Sequence, residues 1–271
     1  MTRAGRRRPT AWDVVAYRSL NACLVGFLLL PILVVLLFSI NPAPFIQFPP
    51  QGVSLRWFEK FFHSRDFMGA FRLSVELALL TVVGATVIGT MAALALVRGR
   101  VPGAGFLAAL FLSPLMLPAI LTGLALFQLY VLLDVGRPFW GLLIGHVVIA
   151  IPYVIRTTVA VLTNFDRSLE EAARNLGASE LVTFREVTLP LIRPGVIAGG
   201  IFAFVISFDQ FPLSLFLVNP GQETLPITMF NYLRYDFDPT IAAASTVSIA
   251  LSIGVVLLLE RTVGLQDYVR L

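Results

Sequence analysis

The amino-acid sequence predicts an all-α integral membrane protein with six transmembrane helices. Hydrophobic residues make up 57% of the 271 residues and charged residues only 13%, and the mean hydropathy is +0.85. Soluble domains contain about half apolar and about a quarter charged residues. Long apolar runs also recur along the whole chain, and each is wide enough to cross a bilayer. A protein that passes through the membrane several times is therefore the only class that fits.

Six apolar runs are interpreted as the spans of a single transmembrane domain, residues 1–271. The first run follows an arginine-rich segment. A secretory signal would have a shorter apolar core and a small-residue cleavage site, so we expect an uncleaved first span. The predicted spans are residues 20–40, 73–97, 106–133, 139–162, 195–218 and 240–259.

Prolines and glycines within these runs predict local features of the helices. Pro114 and Pro118 fall in the third span and Pro152 in the fourth. Membrane helices tolerate proline, so we expect kinks at these positions. Gly195 and Gly199 are four residues apart in the fifth span, a spacing that lets two helices approach closely.

The distribution of basic residues predicts which side of the membrane each loop faces. Inner loops carry an excess of arginine and lysine. With both termini in the cytoplasm, 14 of the 20 basic residues fall on the inner side, counting Arg156 near the inner end of the fourth predicted span, and six on the outer side. This topology also places the polar segment 163–194 in the cytoplasm. The same bias accounts for the isoelectric point near 9.6, so no nucleic-acid partner is expected.

The segment 163–194 separates the fourth and fifth spans, and its pattern predicts two short helices hinged at a glycine. Ser168 and Glu171 have the spacing of a capping box, with Asp166 as the alternative N-cap. Gly177 suits the left-handed position that follows a helix.

A second short helix is expected to begin at Ser179, whose side chain can cap it. Its apolar stripe would consist of Leu181, Phe184 and Val187. Pro190 is expected to stop this helix, because proline lacks the backbone N–H that an internal helical position requires.

Seven residues of this segment form one spaced pattern: Glu171, Ala172, Ala173, Gly177, Val187, Leu189 and Pro190. The pattern resembles the EAA loop of ABC-importer permeases, with valine where the family more often has isoleucine. The resemblance implies that the loop docks on an ATP-hydrolysing subunit. The range 171–176 would be the coupling helix, the glycine its hinge, and the rest a strut to the fifth span. An ordinary helical linker is the alternative.

Shorter matches extend the resemblance over nearly the whole chain, to the second permease of spermidine/putrescine importers. They imply a type I ABC importer permease fold in a bacterial inner membrane. They also imply three partners: a second, related permease, a dimer of ABC ATPase subunits and a periplasmic substrate-binding protein. The solute would be a polyamine or a related small organic molecule. The matches are Trp57 after Ser54-Leu55-Arg56, Gly145-His146, Ile151-Pro152-Tyr153, Ser207-Phe208-Asp209, Leu225-Pro226 and Asp238-Pro239.

Asp209 is expected near the midplane of the fifth predicted span. A charge there costs about 2.5–3.5 kcal/mol, so it normally faces a cavity or a partner. Pro212 cannot donate to the Phe208 carbonyl, which is left free one turn away. A carboxylate beside a free carbonyl suits an ammonium group, which makes Asp209 a candidate for the substrate pathway. A salt bridge to an arginine, or a protonated carboxyl that caps a neighbouring helix, is the structural alternative.

Several chemistries are excluded by the sequence. A Walker A loop requires Gly-Lys-Ser/Thr, and the only lysine, Lys60, follows Glu59. One cysteine and two histidines cannot form a standard structural zinc site. We therefore expect a pore subunit with no catalytic residue, metal or cofactor, and the family resemblance implies that ATP and magnesium are bound by the partner ATPase.

His146 lies in the fourth predicted span, where we expect it to hydrogen-bond to a neighbouring helix. A proton-relay role is the alternative. With Asp209 as the second member of a proton pair, that alternative leads to a different class of protein, a stand-alone proton-coupled secondary transporter. It would leave the loop motif unexplained.

Overall fold

Most of the described part of the chain is helical. The computed structural model describes residues 11–45, 47–99, 101–219, 221–236 and 238–263. No β-strand forms within these ranges, which confirms the all-α prediction. Both termini, predicted to be cytoplasmic, lie outside the described residues. So do six of the arginines in the topology count: Arg3, Arg6, Arg7, Arg8, Arg100 and Arg270.

Five helices in the described residues are long and apolar enough to cross a membrane, and a bent pair of helices makes a sixth crossing if it counts as one span. This agrees with the prediction of six transmembrane helices. The α-helices are α1 Ala11–Ser39, α2 Arg56–His63, α3 Arg65–Val97, α4 Ala104–Leu112, α5 Ala119–Leu132, α6 Phe139–Asn164, α7 Ser168–Asn175, α8 Glu180–Thr183, α9 Leu189–Phe208, α10 Ser214–Leu217, α11 Leu225–Tyr235 and α12 Thr240–Val263.

The third predicted span, 106–133, contains the bent pair. α4 is followed by a 3₁₀ turn with Pro114 at its second position, and Pro118 immediately precedes α5 with ψ 129°. The two helical segments meet at 103°. Proline lacks an N–H and disfavours a helical residue before it, so two prolines four residues apart end one helix and begin another. The expected kink at these prolines is therefore a break. Pro152, by contrast, lies inside α6, which continues through it.

The fifth helix differs from its predicted range, 195–218. A continuous helical segment runs from Glu180 to Phe208, so it begins 15 residues earlier and ends 10 residues earlier than expected. Hydropathy alone predicts the start too late, because the first turns of this helix are polar and lie outside the apolar run.

Pro190 does not stop this helix, and that prediction is wrong. A π-helical turn, Phe184–Thr188, precedes it, and the Leu189 N–H donates to the carbonyl of Phe184, five residues back. A π turn shifts the backbone pairing by one residue. Pro190 then occupies the first turn of α9, where a missing N–H costs little.

The described residues form two compact units. The first comprises residues 11–62 and 236–248, and the second comprises residues 63–235 and 249–263. Within the first unit, the indole N–H of Trp57 donates a 2.7 Å hydrogen bond to the Asn41 carbonyl. The Asn41 side chain in turn accepts hydrogen bonds from the backbone N–H groups of Ala43 and Gln51. These contacts fix the loop between α1 and α2.

The core of the second unit is formed by α3, α6 and α9, which pack against one another. Alanines and β-branched residues dominate one of its buried clusters, among them Ala85, Ala150, Val154 and Ala203. Small side chains allow helix axes to approach closely in a membrane. The predicted close approach at Gly195 and Gly199 is confirmed, because a Cβ at either position would lie within 2.7 Å of an atom of α6.

Candidate functional site

The candidate site is the loop between α6 and α9, and α7 begins there at a cap formed by Asp166. The Asp166 carboxylate accepts a 2.9 Å hydrogen bond from the Ser168 N–H. This hydrogen bond lowers the pKa of the Asp166 carboxyl. Ser168 is the first residue of α7 and not its N-cap, so the capping box with Glu171 is not formed. The N-cap residue is Arg167, and the Asp166 carboxylate caps the first turn from the position before it.

The end of α7 agrees with its prediction. Gly177 has φ +92°, in the left-handed region. Its N–H donates to the Arg174 carbonyl, and the Ala178 N–H donates to the Ala173 carbonyl. This pair of hydrogen bonds is a Schellman motif, which satisfies carbonyls at the helix end. A Cβ at Gly177 would meet no atom within 4 Å, so its φ angle, and not a lack of space, is what requires glycine.

The second helix is capped as predicted but buries different residues. The Ser179 hydroxyl accepts a hydrogen bond from the Val182 N–H. The predicted stripe is wrong at Leu181, which is 75% exposed. Phe184 and Val187 are half-buried, and the buried side chains are Thr183 and Thr188. Leu181 and Thr183 precede the π turn, so the turn does not account for their positions. At its end, near Thr188, spacing counted at 3.6 residues per turn no longer identifies the inner face.

The two adjacent acids of α7 have opposite environments. Glu171 is exposed and lies 3.6 Å from Arg167, one turn earlier. Glu170 is only 3% exposed. Its carboxylate accepts a 2.8 Å hydrogen bond from the Thr188 hydroxyl and lies 3.1 Å from Arg98 Nε.

Arg98 and Glu170 form an ion pair. Their contact is not also a hydrogen bond, because Arg98 Nε has no well-aligned acceptor among the described residues. Sequence reasoning assigned the acidic role to Glu171 and missed Glu170. Two consecutive acids on a helix differ by about 100° in direction, so only one of them can share the outward face. The sequence therefore indicates that one of the two acids faces inward, but it does not identify Arg98 or Thr188 as the partners of that acid.

The outer surface of this loop carries leucines among charged side chains. Leu176 is 90% exposed, and Leu169 and Leu181 are also exposed. Ala172 is exposed and Ala173 is half-buried. Leu189 and Pro190 lie further along, at the start of α9. The loop therefore presents a shallow apolar surface on helices whose ends are fixed by Asp166, Gly177 and Ser179.

Asp209 lies at the end of α9 and not within a helix. Its backbone caps the helix, and its side chain is exposed. Within the part of the chain that the structure describes, no hydrogen bond or ion pair is found for its carboxylate. Pro212 lies in the turn between α9 and α10, consistent with its lack of a donor for the Phe208 carbonyl. The predicted position inside a continuous span is corrected to a break between two helices.

His146 is fully buried and hydrogen-bonded to neighbouring segments, as expected. Its Nδ1 lies 2.8 Å from the Ser207 hydroxyl and its Nε2 lies 2.9 Å from the Ser214 hydroxyl. Ser214 donates to the Gln210 carbonyl. Its oxygen can then only accept from His146, which assigns a proton to Nε2. The Ser207 hydroxyl lies within hydrogen-bond distance of both His146 Nδ1 and the Thr81 hydroxyl. The ring connects α6 to α9 and to α10 across the break.

No group of three or more histidine, cysteine, aspartate or glutamate side chains in the described residues could hold a metal ion. Long apolar helices, with a polar loop and a broken fifth helix among them, define a multi-pass membrane protein.

Comparison with known proteins identifies the family. The model described as "Binding-protein-dependent transport system inner membrane component" matches residues 85–264. The chain belongs to this family. It is therefore a multi-pass inner-membrane protein, and the prediction of an ABC-importer permease is confirmed. The prediction of a transport subunit that is not itself an enzyme is likewise confirmed.

Two curated relatives from Escherichia coli (strain K12) are similar over most of their length. The chain is 31% identical over 233 residues to "Spermidine/putrescine transport system permease protein PotC", with 86% of this chain and 88% of that protein covered. It is 34% identical over 237 residues to "Putrescine transport system permease protein PotI", with 85% and 84% covered.

Among solved structures, the chain is similar to a bacterial ABC transporter involved in the import of the acidic polysaccharide alginate. The TM-score is 0.71, the sequence identity is 19%, and the match covers 95% of this chain and 99% of that one. This similarity shows the shared permease fold and confirms the predicted fold class.

Proposed function

We propose that this chain forms half of the translocation pathway of an ATP-driven importer for polyamines or a related cationic organic solute. A second, related permease forms the other half. A dimer of ABC ATPase subunits binds ATP and magnesium and drives the cycle, and a periplasmic protein delivers the solute. In this arrangement both termini and the loop 163–194 face the cytoplasm.

The exposed loop surface is the observation that carries the proposal. Leu169, Leu176 and Leu181 are exposed, yet Arg167 and Glu171 stand beside them. Charged residues keep this surface out of the hydrocarbon core, so the leucines are not covered by lipid. An apolar patch rimmed by polar residues marks a protein interaction site. A dimer of ATPase subunits is the partner that the family membership suggests for this surface.

In the proposed cycle, the range 171–176 is the coupling helix and Gly177 is its hinge. Leu189 and Pro190 belong to the strut that joins the loop to α9. When the ATPase dimer closes, the coupling helices of the two permeases are drawn together. The pathway then switches from inward-facing to outward-facing by rigid-body movement of the two halves.

The solute class rests on two observations. The relatives named for spermidine and putrescine transport share 31% and 34% identity with this chain over most of its length. In addition, Asp209 carries an exposed carboxylate at the break after α9, and none of the described residues pairs with it there. A carboxylate in such a position is a counter-charge for an ammonium group.

Reconstitution tests the proposal. The chain is co-expressed with its partner permease and ATPase, placed in proteoliposomes, and supplied with binding protein and labelled spermidine or putrescine. We expect uptake that requires ATP inside the vesicles, with no uptake of a neutral solute. A Leu176→Asp variant should lose the ATPase during purification. A Leu233→Asp variant, which changes an exposed leucine on α11, is the matched control.

Uptake by this chain alone, driven by a proton gradient, would overturn the proposal in favour of a secondary transporter. ATP-dependent uptake of a neutral or anionic solute in place of a polyamine would retain the importer and overturn the solute class. The two parts of the proposal are thus tested separately.

A further inference from the structure

One buried carboxylate joins three helical elements in the loop region. Glu170 of α7 uses one oxygen to accept the hydrogen bond from Thr188, in the π turn before α9. Its other oxygen faces Arg98, the residue that follows α3. The Glu170 side chain is 4% exposed and the Arg98 side chain 20% exposed. Water therefore has little access to the pair, and a charge pair is screened far less than on the surface.

Arg98 is itself held in place by the end of α6. Its Nη2 donates a 3.3 Å hydrogen bond to the Leu162 carbonyl, in the last turn of that helix. The guanidinium carbon lies 5.2 Å from the centre of the Phe165 ring, a cation–π distance. The positive charge also stands at the C-terminus of α3, where it is favoured by the helix dipole. These contacts hold the guanidinium in place, and Glu170 pairs with it there.

The attachment matters because α7 has weak connections otherwise. It is only eight residues long, and a helix of that length is not stable by itself. At one end it is followed by Gly177, whose left-handed backbone permits a change of direction. The ion pair of Arg167 and Glu171 stays within one turn of the same segment. Among ion pairs of the described residues, Arg98–Glu170 is the one that joins α7 to a long apolar helix.

We propose that Glu170 and Arg98 form the link through which displacement of α7 is passed to α3 and, through Thr188, to α9. This inference rests on the proposed docking of an ATPase at α7. Without the link, a displacement of α7 changes only the backbone at Gly177 and in the short linker after α6, and the end of α3 does not move with it. With it, the end of α3 and the π turn follow α7. Both residues are positioning residues, and neither contacts the solute or the nucleotide.

The test measures solute imported per ATP hydrolysed by the complete importer in proteoliposomes. Glu170→Gln retains the shape and an acceptor for Thr188, but removes the charge. It leaves Arg98 buried without a counter-charge, which destabilises the fold. The double variant Arg98→Met with Glu170→Gln contains neither charge, so that defect is relieved. Glu186→Gln is the matched control, because Glu186 is an exposed acid of the π turn that, within the described ranges, pairs only with its neighbour Arg185.

We expect the double variant to insert and to assemble with the ATPase at native levels, to retain ATP hydrolysis within twofold, and to import at least tenfold less solute per ATP. The Glu186→Gln control should match the native importer. A double variant that recovers both assembly and native solute-to-ATP ratio overturns the inference, because the pair then only stabilises the fold. A single Glu170→Gln variant with a native ratio also overturns it.

Failure of the proposed function is distinguishable from failure of this inference. If the unmodified chain imports without an ATPase, the docking proposal falls, and the link with it. If the unmodified importer depends on ATP and the double variant couples normally, only the link is rejected.

Discussion

Gly199 of α9 and Val154 of α6 lie in direct backbone contact, so close that a Cβ at Gly199 would be 2.7 Å from the Val154 Cα. The nearest atoms are a backbone carbon and a threonine hydroxyl oxygen, and the backbone carbon cannot move aside as the end of a flexible side chain would. This contact sets the distance between two of the three helices of the core.

Gly199→Leu should therefore separate α6 from α9. Overpacking a core costs about 1–3 kcal/mol and occasionally more, so we expect a lower unfolding temperature in detergent and less chain in the membrane. Gly254→Leu on α12 is the control, because a Cβ there meets no atom within 4 Å. Equal unfolding temperatures for the two variants would contradict the packing argument.

Gly177→Val should reduce transport to background while the chain still inserts. The valine has room, but it must adopt φ +92°, which a β-branched residue avoids. The end of α7 would change direction and its surface would no longer meet the ATPase. Uptake in proteoliposomes is the measurement. Asparagine tolerates the left-handed region better, so Gly177→Asn should retain more uptake than Gly177→Val. Equal uptake by the two variants would remove the hinge assignment.

The contrast between Gly177 and Glu170 shows what the sequence could predict in this loop. A helix end depends on a few adjacent residues, so the glycine and its left-handed backbone follow from the local pattern. The role of Glu170 depends on Arg98, which lies on another helix far away in the sequence. Such a partner is defined only by tertiary packing. Pro190 was misassigned for a related reason, since the π turn before it has no sequence signature.

Glu171→Ala should weaken association with the ATPase without unfolding the chain. The side chain is exposed and pairs only with Arg167 in the described structure, and a surface pair of this kind contributes about 0–1 kcal/mol. A loss of association would then reflect a contact to a basic group on the partner. Copurification at matched expression measures it. If the variant binds the ATPase and imports as the native chain does, Glu171 has no docking role.

His146→Ala should destabilise the chain. The substitution removes the ring that contacts the hydroxyls of Ser207 and Ser214 in the core. Leaving a buried polar group without its partner costs about 1–3 kcal/mol, and the unfolding temperature in detergent should fall. Thr163→Ala is the control, since that hydroxyl is exposed and, among the residues that the structure describes, bonds only within its own helix. A native unfolding temperature with a changed pH dependence of uptake would favour a proton relay instead.

The fifth helix shows where hydropathy fails as a guide. Apolar residues continue from Phe208 to Val218 with little interruption, so the run resembles one span. The helix nevertheless ends at Phe208, because Pro212 removes the hydrogen bond that would extend it. The proline in the sequence marks the end of the helix, whereas hydropathy does not. Hydropathy alone therefore predicts Asp209 inside a span, although it lies at a break with its side chain exposed.

Asp209→Asn tests the solute class. If the carboxylate is the counter-charge of a cationic solute, the substitution keeps its size and removes only the charge. Each 1.4 kcal/mol of lost attraction is about tenfold in affinity, and we expect uptake of spermidine or putrescine to fall by at least that factor. Assembly with the ATPase and basal ATP hydrolysis should stay unchanged, because the described residues give this side chain no structural partner. An importer that fails to assemble would make Asp209 a structural residue. Normal polyamine uptake would make it a bystander, and a neutral or anionic solute would then be as compatible with the pathway as a cation.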